Sequence, residues 1–199
     1  MAKEQAPVAV TGATGALGGA VARLLADAGV AQRLLARHTA RLPELPGTPV
    51  YAATYSDREH AARALAGATT LFMVSAHESP YRQQDHRTFV DAAVEAGVRH
   101  IVYTSFMGAA PDAVFTLARD HWDTEEYIRS TGLDYTFLRD CLYQDALPSF
   151  AGRDGVIRGP AGSGRLAAVA RADVARAAAR ILASPGDHQG RIYTLTGPQ

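Results

Sequence analysis

The chain has 199 residues, and its 20 arginine-plus-lysine side chains balance 20 aspartates and glutamates. That is enough for one domain with a full core, and a balanced charge provides no electrostatic footprint for nucleic acid or an anionic membrane surface. Cys141 is the only cysteine, so an intrachain disulfide and a thiolate metal cluster are both excluded. The N-terminal stretch has no apolar signal segment, and no apolar run approaches the roughly 20 residues of a membrane helix. The expectation is a soluble cytoplasmic protein without a metal site.

The chain then divides into alternating strands and helices. Val8-Ala9-Val10 enters the turn Thr11-Gly12-Ala13-Thr14-Gly15-Ala16-Leu17-Gly18-Gly19, and a helix follows with Leu17, Val21, Leu25 and Ala28 at helical spacing and Gly29 as its stop. Glycines three apart between a strand and a helix suit a diphosphate. Gly12 can take a positive φ, Gly15 admits the ligand close to the backbone, and Gly18 lets the helix sit on the sheet. Thr14, Ala16 and Leu17 complete the loop and first turn, whose N–H groups and positive dipole end face the anion. The spacing is G-x-x-G-x-x-G rather than the G-x-G-x-x-G of most dinucleotide dehydrogenases, so position in the chain carries the reading more than the string does.

Arg33 to Ala36 predicts a second strand ending at Arg37. An acidic residue at this point would hold a ribose 2′-hydroxyl, whereas an arginine suits a 2′-phosphate. Arg37, with Arg41 as helper, therefore favours NADP over NAD; the alternative is a pair of solvated loop arginines. Pro49 to Thr54 predicts a third strand, Asp57 a helix start with Ala61, Leu65 and Ala68 on its apolar face, and Thr70 to Ser75 a strand covered on both sides. A helix through Phe89, Ala93 and Ala96 stops at Gly97. Strand His100 to Ser105, helix Phe115 to Thr131 and strand Tyr135 to Leu138 follow. Gly152 to Gly164 is loop with a brief strand at Val156-Ile157. A helix from Arg171 through Leu182 and a strand from Arg191 to Leu195 close the chain. This alternation predicts an α/β, Rossmann-type doubly wound parallel sheet with helices on both faces.

With these pieces in place, the chain resembles the atypical short-chain dehydrogenases/reductases of the NmrA-like type, and within them the bacterial NAD(P)H:quinone oxidoreductases. The resemblance rests on Thr11 to Gly18, Ala36-Arg37, Tyr103-Thr104-Ser105, His121 to Glu125, Tyr135 to Arg139, Tyr143 and Arg171-Ala172-Asp173. It implies one NAD(P)-binding domain over residues 1–199, without most of the C-terminal segment that covers the substrate pocket in relatives, and a pocket that is either more open or closed by a partner subunit such as a homodimer. Near Thr54, relatives often carry an acidic residue that this chain lacks.

Ordinary short-chain dehydrogenases use a Tyr-x-x-x-Lys pair, in which the lysine lowers the tyrosine pKa for proton exchange with the substrate. Lys3 is the only lysine and precedes the first strand, and Tyr127 is followed four residues later by Thr131. Hydride transfer from NADPH to a quinone or similar electron-poor acceptor needs no such pair, only register between acceptor and cofactor and a proton for the resulting oxyanion. His121, on the inward face of its helix, and Ser105, at the C-terminal end of a central strand, are the candidates for catalytic assistance; the alternatives are a satisfied core histidine and a cap. Ser75 and Tyr103 are expected at the cofactor, Arg139 either there or as the anchor of a buried turn, and His77, Phe106 and Tyr143 in the substrate pocket, with Met107 and Phe150 as further wall; His77 has a solvated loop residue as its alternative. Asp120, Asp123, Glu125 and Glu126 suggest a solvated acidic face, Glu125 pairing with Arg129. Cys141 is expected to be structural. The competing reading is an NADP(H)-binding regulator that senses the cofactor without turnover.

Overall fold

The computed structural model describes residues 7–159 and 162–198. Seven parallel strands form one sheet: β1 (Val8–Val10), β2 (Gln32–Ala36), β3 (Val50–Ala52), β4 (Thr70–Met73), β5 (His100–Phe106), β6 (Asp134–Asp140) and β7 (Arg191–Leu195). Their order is β3-β2-β1-β4-β5-β6-β7. Five α-helices connect them: α1 (Ala16–Asp27), α2 (Arg58–Leu65), α3 (Arg82–Glu95), α4 (Thr116–Ser130) and α5 (Arg171–Ala183). The fold is therefore the doubly wound Rossmann type that the alternation predicts.

Side chains along a strand point to opposite faces, and each face has its own core. Val8, Val10, Leu34, Phe72, Val102 and Leu138 pack with Val21 and Leu25 of α1 and Val174, Ala178 and Leu182 of α5. Ala9, Leu35, Leu71, Ile101, Tyr103 and Phe137 pack with Leu65 of α2, Phe89 and Ala93 of α3 and Ile128 of α4. Cys141 is buried in the first core, where its Sγ donates to the Ala167 carbonyl at 2.9 Å. Gly29, Gly97 and Gly132 follow α1, α3 and α4 with positive φ and end those helices.

Three short 3₁₀ segments lie outside the sequence expectations: Thr39–Arg41, Gln144–Phe150 and Pro185–His188. The expected strand at Val156-Ile157 is only an isolated bridge between Ala151 and Ile157. Beyond β1 the chain turns outward to β2 and β3, then crosses back to lay β4 on the other side of β1. The crossing opens a gap above the carboxyl ends of β1 and β4, where doubly wound sheets bind ligands.

Candidate functional site

A crevice of about 400 Å³ fills that gap, lined by the glycine loop (Thr11, Gly12, Thr14, Gly15), the end of β2 (Ala36, Arg37), the turn after β3 (Thr54, Tyr55), the segment after β4 (Val74 to His77), and Asp85 and Phe89 of α3. The loop is shaped by its glycines. Gly12 has φ +63°, and a Cβ there would lie 3.0 Å from the Val74 Cβ. At Gly18 a Cβ would stand 2.4 Å from the Gly12 carbonyl oxygen, so only glycine lets α1 descend onto the loop. The Gly15 N–H donates to the Gly12 carbonyl at 2.8 Å and closes the turn.

No side chain caps α1 at Gly15, and its first turn contains no acidic residue. The amides of that turn remain for an anion, and the helix dipole supports it. Ala16, Leu17 and Gly18 contribute backbone rather than side chains, since Leu17 is buried in the core. These features fit a dinucleotide: an uncapped helix end for the diphosphate, and the exposed Arg37 at the crevice edge for a further phosphate.

Tyr55, which sequence reasoning did not single out, braces the floor. Its hydroxyl donates to the Val74 carbonyl at 2.6 Å and lies 2.6 Å from the Thr11 Oγ1, which in turn accepts the Val74 N–H at 2.9 Å. The ring stacks on Phe89 at 4.2 Å. Burial raises its pKa above the ordinary tyrosine value, so the hydroxyl stays protonated and ties the ends of β1 and β4 to the turn after β3.

Of the residues singled out by sequence, the crevice brings together Gly12, Thr14, Gly15, Arg37, Ser75 and His77. It does not bring Tyr103, Ser105, His121 or Arg139 there. Tyr103 and Ser105 lie at alternate positions of β5 and turn into the layer beneath α3 and α4. The Tyr103 ring is fully buried, and its hydroxyl accepts from the His121 Nδ1 at 2.9 Å. The His121 Nε2 accepts from the Arg82 guanidinium at 3.0 Å. With both ring nitrogens engaged, and with burial and then the Arg82 charge holding its pKa well below the ordinary value, His121 is a neutral core histidine whose single N–H is committed to Tyr103.

Ser105 and Arg139 are likewise committed to α4. The Ser105 hydroxyl donates to the Glu125 Oε1 at 2.6 Å, and Arg139 grips the same carboxylate with two bonds of 2.8 and 2.6 Å. Glu125 is 0% exposed. The expected solvated acidic face is therefore wrong at this position: Glu125 does pair with Arg129 at 3.3 Å, but it is the buried anchor that ties α4 to β5 and β6. Phe106 stacks against His121 and Phe115, and Tyr143 donates to the Asp140 carboxylate, so neither lines the crevice. Met107 and Phe150 are exposed at the same end of the sheet.

A parallel sheet wound both ways, a switch-point crevice and a glycine loop without a side-chain cap define a dinucleotide-binding protein. The chain belongs to the NAD(P)H-binding family, whose pattern matches residues 12–185. Quinone oxidoreductase 2 of Escherichia coli is 37% identical over 197 residues, spanning 96% of this chain and 68% of the relative. A crystal structure of an Escherichia coli NADPH-dependent quinone oxidoreductase complexed with NADPH superimposes with a TM-score of 0.85 at 36% identity, over 96% of this chain and 69% of that one. Triphenylmethane reductase of Citrobacter sp., complexed with NADP(H), superimposes with a TM-score of 0.86 at 34% identity, over 97% and 70%. Among the described residues no helix is long and apolar enough to cross a membrane, and no His/Cys/Asp/Glu group has the makings of a metal site.

Proposed function

We propose that this chain is an NADPH-dependent reductase that delivers hydride to a quinone or a similar electron-poor acceptor, within a single NAD(P)-binding domain. The observation that carries the reading is the crevice: its uncapped helix end and Arg37 provide for the phosphates, and it opens toward the carboxyl ends of the central strands. Reductases with such acceptors among the similar proteins support it. NADPH supplies the hydride when bound.

The chain's own part is to hold and to exclude. Gly12, Thr14 and Gly15, with the backbone of Ala16, Leu17 and Gly18, receive the diphosphate, and Arg37 the 2′-phosphate. Ser75 and the Val74 wall flank the path toward the acceptor. A quinone that accepts hydride becomes a hydroquinone monoanion, which then takes one proton. His77, exposed at the crevice lip, is the histidine placed to provide it, with water as the other source. Phe106 and Tyr143 belong to this reading as acceptor contacts beyond the crevice, at the ends of β5 and β6.

The test is NADPH fluorescence with the protein before and after a simple benzoquinone. Enhancement on mixing followed by protein-dependent decay above the spontaneous rate supports the reductase. Binding without accelerated decay supports the cofactor-sensing reading instead, and no binding by a direct titration overturns both.

A further inference from the structure

The segment that follows β4 has no strand to lean on, because the ladder between β4 and β5 ends at Met73 and Tyr103. It is nevertheless fixed by side chains from beneath. The Ser75 N–H donates to the Thr104 Oγ1 at 2.8 Å. The Ala76 N–H donates to the His86 Nε2 at 2.9 Å, and the Ala76 carbonyl accepts from the Arg82 Nε at 2.8 Å. Both clamping residues come from α3 one turn apart, with Arg82 3% and His86 1% exposed. Ala76 itself lines the crevice.

The proton positions in this clamp are determined. The Thr124 hydroxyl donates to the Asp120 carbonyl at 2.9 Å, so toward His86 it can only accept, and the proton lies on the His86 Nδ1, 2.9 Å away. That leaves the His86 Nε2 bare for the Ala76 amide. Arg82 is oriented by Asp120 at 3.3 Å and by the His121 Nε2 at 3.0 Å, and His121 is oriented by Tyr103. Tyr55 and Tyr103 close over the His86 ring from the other sides at 5.9 and 5.8 Å.

We propose that His86 and Arg82 are positioning residues for the cofactor: they hold both polar groups of the Ala76 amino acid, fixing the crevice wall before the cofactor arrives, and His121 acts by orienting Arg82 rather than by giving a proton. The inference rests on reading the crevice as the NADPH site. Preorganisation of this kind raises affinity because the loop need not be ordered on binding.

The experiment compares His86→Gln with His86→Asn. A glutamine Oε1 reaches the place of the ring Nε2 and can accept the Ala76 N–H, whereas an asparagine reaches only the place of Nδ1 and keeps the Thr124 bond alone. His86→Asn should bind NADPH about tenfold more weakly than His86→Gln, the weight of one hydrogen bond. It should raise the KM for NADPH with kcat for benzoquinone nearly unchanged, at similar melting temperatures for the two variants. Equal affinity of the two variants would overturn the proposal. A second arm needs no variant: in the unsubstituted protein the Ala76 amide proton should exchange with solvent far more slowly than an exposed loop amide. Fast exchange there removes the clamp whether or not the variants fold. Failure of the unsubstituted protein to bind NADPH would strike the reading of the crevice and leave the amide measurement to decide the clamp.

Discussion

Gly18 and Gly15 face the same carbonyl oxygen of Gly12, yet at different distances. An added methyl would meet that oxygen at 2.4 Å from position 18 and at 3.2 Å from position 15. Because the obstacle is backbone, Gly18→Ala should lift α1 from the loop, costing about 1–3 kcal/mol in the manner of an overpacked core and abolishing NADPH binding. Gly15→Ala should cost clearly less; urea denaturation with a NADPH titration of both variants checks the ranking. Arg37 lies exposed at the crevice edge, so its removal should spare the fold. Arg37→Ala should weaken NADPH by tenfold or more and NADH little, and equal losses for the two cofactors would refute the 2′-phosphate assignment. Glu125 was misread because its companion Arg129 sits at the spacing of a surface ion pair, while the partner that buries it, Arg139, is fourteen residues away on another element. Glu125→Gln leaves Arg139 without a counter-charge in the interior. It should cost about 3 kcal/mol by urea midpoint, with NADPH affinity of the folded protein unchanged because none of these groups lines the crevice.

All seven strands and five helices among the described residues were legible from the period and the punctuation of the chain, because the central strands β4 and β5 are buried on both faces and four of the helices are followed by a glycine that takes a positive φ. Asp57 illustrates a signal that is both local and physical. Its Oδ1 accepts the His60 N–H at 3.0 Å, capping α2 as the sequence suggests. Asp57→Ala should therefore lower the thermal midpoint, while cofactor binding stays intact. The 3₁₀ segment Gln144–Phe150 was not legible: it contains Pro148, is held by turn bonds and carries no buried residue, so no hydrophobic period marks it. In α3 a signal existed but pointed elsewhere. Arg82, His86, Phe89 and Ala93 follow the 4-3-4 spacing of a buried face, and the two polar members of that stripe were the ones the sequence reading passed over. A charged residue on an apolar stripe is a demand for buried partners, and here the partners are the backbone of the crevice wall. The candidate site was legible where glycine and arginine chemistry is local, at residues 12 to 18 and 37. It was illegible where residues from β5 and α4 meet, since the alternation that sends Tyr103 and Ser105 inward depends on register with a neighbouring strand.

At the scale of the whole molecule, the buried titratable groups set how stability varies with pH. Burial holds His86 down to about 3, His121 well below its ordinary value and His100 lower as well, each from 6.5. As pH falls from about 6.5, the unfolded chain binds protons on these histidines that the native state refuses, so stability is lost on the way down. Asp140 has the opposite sign. Burial raises its carboxyl from 3.8 to about 7, so the native state keeps a proton that the unfolded chain has released, and this contribution fades as pH rises through 7. Near pH ~5 the histidines outnumber Asp140 by roughly one to two protons, and unfolding free energy should rise by roughly 1 to 3 kcal/mol per pH unit. The exposed carboxyls of Asp57, Asp145 and Asp154, lowered chiefly by hydrogen bonds, add a loss of the same sign in more acidic solution. Close to neutrality the unfolded histidines lose their protons while native Asp140 releases its own, so the two effects offset and the curve should level off. Asp140→Asn retains an acceptor for the Tyr143 hydroxyl but cannot ionise, so stability should rise more steeply between about pH 5 and 7 than in the unsubstituted protein. Urea denaturation of the unsubstituted protein and Asp140→Asn at several pH values from about 5 to 8 measures both slopes. A flat profile between about pH 5 and 6.5 would mean that the neutral histidines beneath the crevice wall are not held as their hydrogen bonds require.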